Sequence, residues 1–104
     1  MSDNYTAVAI MDKLAVGTMM RIDHKGTRYL LANADGTVYA CDEMCTHEDA
    51  SLYLGALQGD CLKCPLHGSR FDLKTGKPLD EPADEDLIIY PVKVENNTIY
   101  VDFS

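Results

Sequence analysis

Apolar and polar residues alternate in short stretches along the first forty or so positions of the chain. The stretches cover residues 5–10, 18–24, 27–34 and 37–41, each long enough for one β-strand. Lys25-Gly26 and Asp35-Gly36 stand between them as two-residue turn signals. The pattern predicts a β-meander with short hairpin connections.

The end of the chain alternates in the same way. Apolar side chains occupy every second position in two runs, which are Ile88, Tyr90, Val92 and Val94, and then Ile99, Val101 and Phe103. Asn96-Asn97 separates the runs, so we predict a hairpin with each run on one face of its strand. Pro91 inside the first run indicates an edge position or a bulge.

Between these ends, residues 41–83 lose the alternation and contain all four cysteines and two of the three histidines. We predict a loop-rich insertion there, with a short strand at 70–73 and a short helical turn around 49–54. The 104 residues suffice for one modest core and one domain. No segment keeps a helical period, so the expected class is all-β, an antiparallel sandwich or barrel base formed by residues 1–40 and 84–104.

Two short runs inside the insertion carry the candidate chemistry. They are Cys45-Thr46-His47 and Cys64-Pro65-Leu66-His67, separated by 16 residues. Each run offers one thiolate and one imidazole. Two cysteines and two histidines suit a 2Fe-2S cluster in which the cysteines hold one iron and the histidines the other.

These runs resemble the Rieske ferredoxin family, most closely the small ferredoxins that supply electrons to bacterial aromatic-ring-hydroxylating dioxygenases. The likeness extends through residues 64–72, and Glu81-Pro82-Ala83 is similar to the proline loop that covers the cluster in this family. The resemblance implies a Rieske fold with a cluster-binding subdomain at about 41–83. It also implies one Rieske 2Fe-2S cluster, held by Cys45, His47, Cys64 and His67.

The family's function would make the chain a one-electron carrier and not an enzyme by itself. By the same resemblance, a flavin-dependent NAD(P)H reductase would supply the electrons, and a terminal Rieske oxygenase that hydroxylates aromatic rings would receive them. No phosphate-binding glycine loop or catalytic triad pattern is present. The alternative is a small Rieske-like subunit of a larger reductase, such as an assimilatory nitrite reductase.

The sequence departs from the high-potential members of the family in two respects. Those proteins have an extra cysteine in each ligand run, and the two form a disulfide, whereas this chain has Ala50 and Leu66. Ser69 matches a hydrogen-bond donor that raises the potential, but Phe71 replaces a second donor, a tyrosine. We therefore expect a potential in the lower Rieske range, about -150 to 0 mV.

The formal charge of -8 argues against nucleic acid and anionic membranes as partners. No apolar run of membrane-spanning length and no signal peptide is visible, so we expect a cytoplasmic monomer. Acidic residues flank the ligand runs at 42–43, 48–49 and 80–86. They are either a solvated face or a surface that guides docking to basic partners, with Pro65, Leu66 and Pro82 making the apolar contact.

Other cysteine assignments remain open at this stage. Cys41, Cys45, Cys61 and Cys64 have a spacing that could form a tetrahedral zinc site, which would leave both histidines unexplained. Otherwise Cys41 and Cys61 are expected to be small buried apolar side chains, or less plausibly a disulfide. His24 is expected at a solvated strand end.

Overall fold

The computed structural model describes residues 4–45, 50–65, 68–80 and 85–104. These residues form ten β-strands and no α-helix, together with two 3₁₀ turns at Met11–Lys13 and Leu52–Leu54. The strands are β1 (Tyr5–Ile10), β2 (Met19–His24), β3 (Thr27–Ala34), β4 (Thr37–Asp42), β5 (Ala56–Gln58), β6 (Cys61–Lys63), β7 (Arg70–Asp72), β8 (Ile89–Tyr90), β9 (Val92–Glu95) and β10 (Thr98–Asp102). The prediction of an all-β chain is confirmed.

The strands form three antiparallel sheets, ordered β1-β10-β9, β2-β3-β4-β8 and β5-β6-β7. Only β2-β3-β4 form the predicted meander, whose register pairs Met19 with Ala32 and Asn33 with Val38. The first predicted strand, β1, pairs instead with β10 at the other end of the chain. Positive φ angles occur at both residues of the Lys25-Gly26, Asp35-Gly36 and Asn96-Asn97 turns. Two successive positive φ angles are typical of the type I′ turn, whose twist matches that of the strands it joins.

Pro91 divides the last part of the chain more completely than the alternating pattern predicts. The strand β8 pairs with β4 in the second sheet, whereas β9 pairs with β10 in the first. Proline has no N–H to donate to a ladder, so the chain changes sheets at this position. Ile88 and Val94 are exposed as a result. The expectation of one continuous apolar face from Ile88 to Val94 was therefore wrong.

The middle of the chain contains more regular structure than the sequence predicts. Strands β5 and β6 were not foreseen, and they pair with β7, which covers most of the short strand expected at 70–73. Each is three residues long, too short to show a period of two. The strand β4 also continues through Asp42, beyond the expected end of the base at residue 40. The division into base and subdomain stays a prediction.

The central strand β3 connects two apolar clusters. Leu30 and Leu31 are both fully buried, and because neighbouring strand residues point to opposite faces, each belongs to a different cluster. Leu31 packs with residues that include Ile99 and Val101 of β10. Leu30 packs on the side that contains Cys45 and Cys64. Full burial of each leucine contributes roughly 1.5–3 kcal/mol, so β3 fixes the candidate site to the rest of the fold.

A group of aromatic side chains packs against the cluster that contains Leu31, near the strand ends. The ring of His24 stacks on Phe103, with centroids 4.3 Å apart and planes 16° apart. Phe103 also contacts the Tyr29 ring, at 4.4 Å between centroids. His24 is therefore a half-buried packing residue and not the solvated strand end that its neighbours Lys25 and Gly26 indicated.

Gly76 joins the turn after β7 to the segment that leads into β8. Its φ is +83°, and a Cβ added there would lie 2.0 Å from the carbonyl oxygen of Leu87. The Leu87 N–H donates to the Gly76 carbonyl at 2.7 Å, and Leu87 is buried. Only glycine combines this conformation with so close an approach of two backbones.

We predict that Gly76→Ala lowers the free energy of unfolding by about 3 kcal/mol or more, because left-handed strain adds to a backbone collision. Gly59→Ala is the matched control, since Gly59 has φ +61° with open space around its Cβ position. It should cost only about 1–2 kcal/mol. Urea unfolding followed by far-ultraviolet circular dichroism measures both, and equal losses would contradict the role of the Leu87 contact.

Candidate metal centre

The two candidate ligand runs begin loops that are closed in the same way. The Cys45 N–H donates to the carbonyl of Ala50 at 2.9 Å, and the Cys64 N–H donates to the carbonyl of Ser69 at 2.8 Å. In each case the donor is the cysteine and the acceptor lies five residues later. We call residues 45–50 loop one and residues 64–69 loop two.

Backbone pairing outside loop one holds its two ends together. Met44 and Ser51 form an isolated antiparallel bridge, and the Leu52 N–H donates to the Glu43 carbonyl at 2.8 Å. The described residues on either side of positions 46–49 are therefore paired with each other beyond the end of β4. The predicted helical turn nearby is reduced to the 3₁₀ turn Leu52–Leu54.

Loop two connects β6 to β7. Lys63 and Arg70 are paired at its base, and the Gly68 N–H donates to the Cys64 carbonyl at 3.1 Å. Gly68 has φ +73°, a left-handed conformation that glycine adopts without steric cost. The backbone of Cys64 thus bonds to both Gly68 and Ser69, the described residues that precede β7.

Cys45 and Cys64 lie in the same apolar cluster, and only 6% and 1% of them is exposed. Phe71 is fully buried in this cluster too, while Ser69 is fully buried at the end of loop two. A thiolate in such surroundings requires a compensating positive charge, which bound iron supplies. The two buried sulfur donors therefore fit an iron–sulfur cluster. His47 and His67 lie outside the described residues, so their ligand role stays a prediction.

The four-cysteine zinc site is not formed. All four cysteines lie in the described part of the chain, where no group of three or more cysteine, histidine, aspartate or glutamate side chains could hold a metal ion. No disulfide joins any of the four either. That interpretation of the cysteine spacing was wrong.

Cys41 and Cys61 differ from each other. Cys41 is buried in β4, and burial raises the pKa of its thiol far above the usual range. Cys61 is only partly buried, and its Sγ lies 3.7 Å from Oδ1 of Asp60. Partial burial and then the charge of Asp60 raise the pKa of the Cys61 thiol. The expectation of a small buried apolar side chain holds for Cys41 but not for Cys61.

Two of the acidic residues expected on a solvated face are structural. Glu43 is 6% exposed, accepts a hydrogen bond from Oγ of Ser51 at 2.6 Å, and lies 3.7 Å from the guanidinium of Arg21. Asp42 accepts a hydrogen bond of 2.6 Å from the hydroxyl of Tyr90. Burial, and next this bond, raises the pKa of Tyr90. Neither carboxylate is free for docking.

Asp80 is also engaged within the chain. It accepts from Nε of Arg70 at 2.6 Å, from the second guanidinium nitrogen at 3.2 Å and from the Arg70 N–H at 3.2 Å. The hydrogen bond from Arg70 lowers the pKa of Asp80. This ion pair is therefore intact at neutral pH and is lost as the pH falls through that depressed pKa. The predicted proline loop, Glu81-Pro82-Ala83, lies outside the described residues.

The outer side of loop two carries apolar surface. Leu54 is 71% exposed and lines, with Ala56, Cys64 and Pro65, a groove of about 460 Å³. Pro65 is exposed as predicted, whereas Leu66 lies outside the described residues. The contribution of Leu54 was missed because its neighbours show no pattern that would distinguish an exposed leucine from a buried one.

The chain belongs to the Rieske [2Fe-2S] domain family, whose model matches residues 4–91. It therefore carries one Rieske-type 2Fe-2S cluster. The described residues contain no helix that is long and apolar enough to cross a membrane.

Three comparisons extend this result. The ferredoxin component of the naphthalene 1,2-dioxygenase system of Pseudomonas putida is 40% identical over 98 residues, which cover 94% of this chain and 93% of the relative. The ferredoxin of carbazole 1,9a-dioxygenase from Nocardioides aromaticivorans superposes with a TM-score of 0.88 and 31% identity, covering 95% of this chain and 97% of that one. A structure described as a candidate small subunit of NADPH nitrite reductase superposes with a TM-score of 0.79 and 24% identity, covering 93% of this chain and 96% of that one, and shows a shared fold. The predicted Rieske fold is confirmed.

We predict that iodoacetamide labels Cys61 in the native, cluster-loaded protein but leaves Cys41 unlabelled until the chain unfolds. The raised pKa of Cys61 means that its labelling rate reaches half of its maximum at a pH above about 8.5, the pH at which an ordinary thiol is half ionised. Mass spectrometry of the labelled peptides measures both effects. Cys61→Ser is the control, and it should abolish labelling while keeping full iron and sulfide content. Loss of iron in that variant would contradict the assignment.

Proposed function

We propose that the chain is a one-electron carrier that connects a flavin-dependent NAD(P)H reductase with a terminal aromatic-ring-hydroxylating oxygenase. The observation that carries this proposal is the alignment of 94% of the chain with a relative named as a ferredoxin component of a dioxygenase system. Such a component transfers electrons, so the chain is not an enzyme alone. A solved structure at 30% identity is named as a complex of oxygenase and ferredoxin, which supports an oxygenase as the partner.

The proposed ligands are Cys45 and Cys64 for one iron, and His47 and His67 for the other. Their support is the matched closure of loops one and two, together with the position of each histidine inside the same loop as its cysteine. When bound, the cluster accepts and releases a single electron. The chain's own contribution is to bury the two sulfur atoms among apolar side chains and to exclude water from them.

The proposed arrangement has two parts. Residues of about 41–83, which include the third sheet and both loops, form the cluster-binding subdomain, and residues 1–40 and 84–104 form the base. We also propose that the protein acts as a monomer in the cytoplasm, where an NAD(P)H-dependent reductase would be available.

A second candidate function is that of a small subunit in a nitrite reductase. The supporting observation is the fold that the chain shares with such a candidate subunit at 24% identity. The 40% identity to a dioxygenase ferredoxin component favours the carrier. Purification of the chain in a stable hetero-oligomer would favour the subunit.

We predict that the purified protein is red-brown with two irons, and that it gives a rhombic EPR signal of low average g after anaerobic dithionite reduction. Cys45→Ser and His67→Ala should each abolish this signal, because each removes a proposed ligand. Cys41→Ala is the matched control and should keep the signal, since Cys41 is a packing residue in β4. Iron analysis and low-temperature EPR make the measurement.

A colourless protein that cannot be reconstituted with iron and sulfide would refute the carrier. Potentiometric titration of the same sample should give a midpoint of about -150 to 0 mV, because the cluster lacks the tyrosine donor that Phe71 replaces. A midpoint well above this window would contradict the role given to Phe71.

We further propose that Pro65, Leu66 and Pro82 make the apolar contact with the partner and that nearby carboxylates guide the approach. Asp86 is exposed and lies just after the predicted proline loop. Raising the ionic strength from about 0.01 M to about 0.15 M shortens the Debye length from about 30 Å to about 8 Å, so the second-order rate of electron transfer should fall. Stopped-flow reduction of a partner oxygenase measures this rate.

Asp86→Asn should lower the rate at low salt more than Asp12→Asn, which removes the same charge from the exposed turn after β1. A rate that does not respond to salt, or equal effects of the two variants, would remove the steering proposal.

A further inference from the structure

An ionic contact lies at the base of loop one. The carboxylate of Glu43 accepts a hydrogen bond from the hydroxyl of Ser51, which joins the two ends of the loop. In the sequence, Glu43 and Ser51 flank Cys45 and Ala50, whose backbone hydrogen bond closes the loop. Arg21 of β2 approaches the same carboxylate at 3.7 Å and also lies over the Tyr53 ring, 4.6 Å from its centroid. We call Glu43, Ser51 and Arg21 the Glu43 brace.

A second ionic contact lies at the base of loop two. Arg70 directly follows Ser69, the residue whose carbonyl closes the loop, and the three bonds from Arg70 to Asp80 tie this point to the next segment of chain. The Leu79 N–H donates to the Arg70 carbonyl at 2.7 Å, so backbone and side-chain bonds act together. We call Arg70 and Asp80 the Asp80 brace.

The two braces act at matching positions. Each loop is closed by one backbone bond that its cysteine donates, and each brace has a member within two residues of that bond, Glu43 and Ser51 in one and Arg70 in the other. Burying a carboxylate such as Glu43 has a desolvation cost, which is offset only when its partners are held in a favourable geometry. The hydrogen bond and the ion pair of Glu43 therefore restrain the chain segments that they join. The bidentate pair between Arg70 and Asp80 fixes orientation as well as distance.

We infer that Glu43 and Asp80 are positioning residues that hold loops one and two in the geometry the cluster requires. The inference rests on the proposed ligand set. This chain has Ala50 and Leu66 where a disulfide between the loops would require cysteines, so no covalent bond joins the two loops. Each loop is instead restrained from its own side, by one brace.

The test compares Glu43→Gln and Asp80→Asn with Asp60→Asn in the cluster-loaded protein. Asp60 forms an ion pair of 3.1 Å with Lys74 at the opposite end of the third sheet from loop two. It therefore controls for the loss of one charge and one ion pair in the same sheet. Far-ultraviolet circular dichroism checks that each variant is folded.

The first measurement is the half-time for bleaching of the visible absorption in excess EDTA. Glu43→Gln and Asp80→Asn should each shorten it by about tenfold, and Asp60→Asn should leave it within twofold of the unmodified protein. The second is the EPR line width after dithionite reduction, which should increase in the two brace variants because the loops adopt a wider range of geometries. A purely structural loss of stability would not broaden this signal.

Milder variants keep the test decisive if a brace variant does not fold. Ser51→Ala removes one bond of the Glu43 brace, and Arg70→Lys keeps the charge but not the bidentate geometry. Each should give a smaller acceleration with the same broadening. Unchanged bleaching and line width in all brace variants, or equal acceleration in Asp60→Asn, would overturn the inference. An unmodified protein without a cluster would instead overturn the proposed function.

Discussion

The burial of two cysteine sulfur atoms in one apolar cluster is the constraint on which this protein depends. Cys45 and Cys64 follow strands of different sheets, yet both belong to the apolar cluster that contains Leu30 of β3. The N–H of each cysteine is bonded across its loop, so the backbone of each cysteine is held in place before any metal binds. The site gains rigidity from the sheets beside it, because the described residues at the ends of each loop are already paired.

Several acidic residues near the candidate site form hydrogen bonds or ion pairs within the chain, which changes how its net charge is interpreted. Glu43, Asp42 and Asp80 hold chain segments together near the loops, and their charges are compensated locally by hydrogen bonds or a guanidinium. The charge that acts on a partner at a distance therefore comes from carboxylates without such partners, and its magnitude near the site is smaller than the formal value indicates. Acidic residues close to a redox centre can thus stabilise its frame and contribute little to docking.

Sequence reasoning succeeded for the base and failed where elements are shorter than their period. The strands from Tyr5 to Ala34 were predicted closely, because alternation over six to eight residues and two-residue turns are local signals. Strands β5 and β6, of three residues each, carry no such signal and exist because β7 provides a partner. At Pro91 the sequence predicted an edge position or a bulge and not a change of sheet, since it shows the missing N–H but not which strand is nearby.

For the candidate site, the sequence alone predicts the ligand types and their pairing, because thiolate and imidazole chemistry is a property of the residues and their spacing. It also determined that β-strands would flank them. Only the tertiary structure decided that the four cysteines do not form a metal site together. It also decided that Glu43 is buried and that Asp80 forms an ion pair with Arg70. These outcomes depend on contacts between residues distant in the sequence, and the pattern of any one segment contains no information about the segment packed against it.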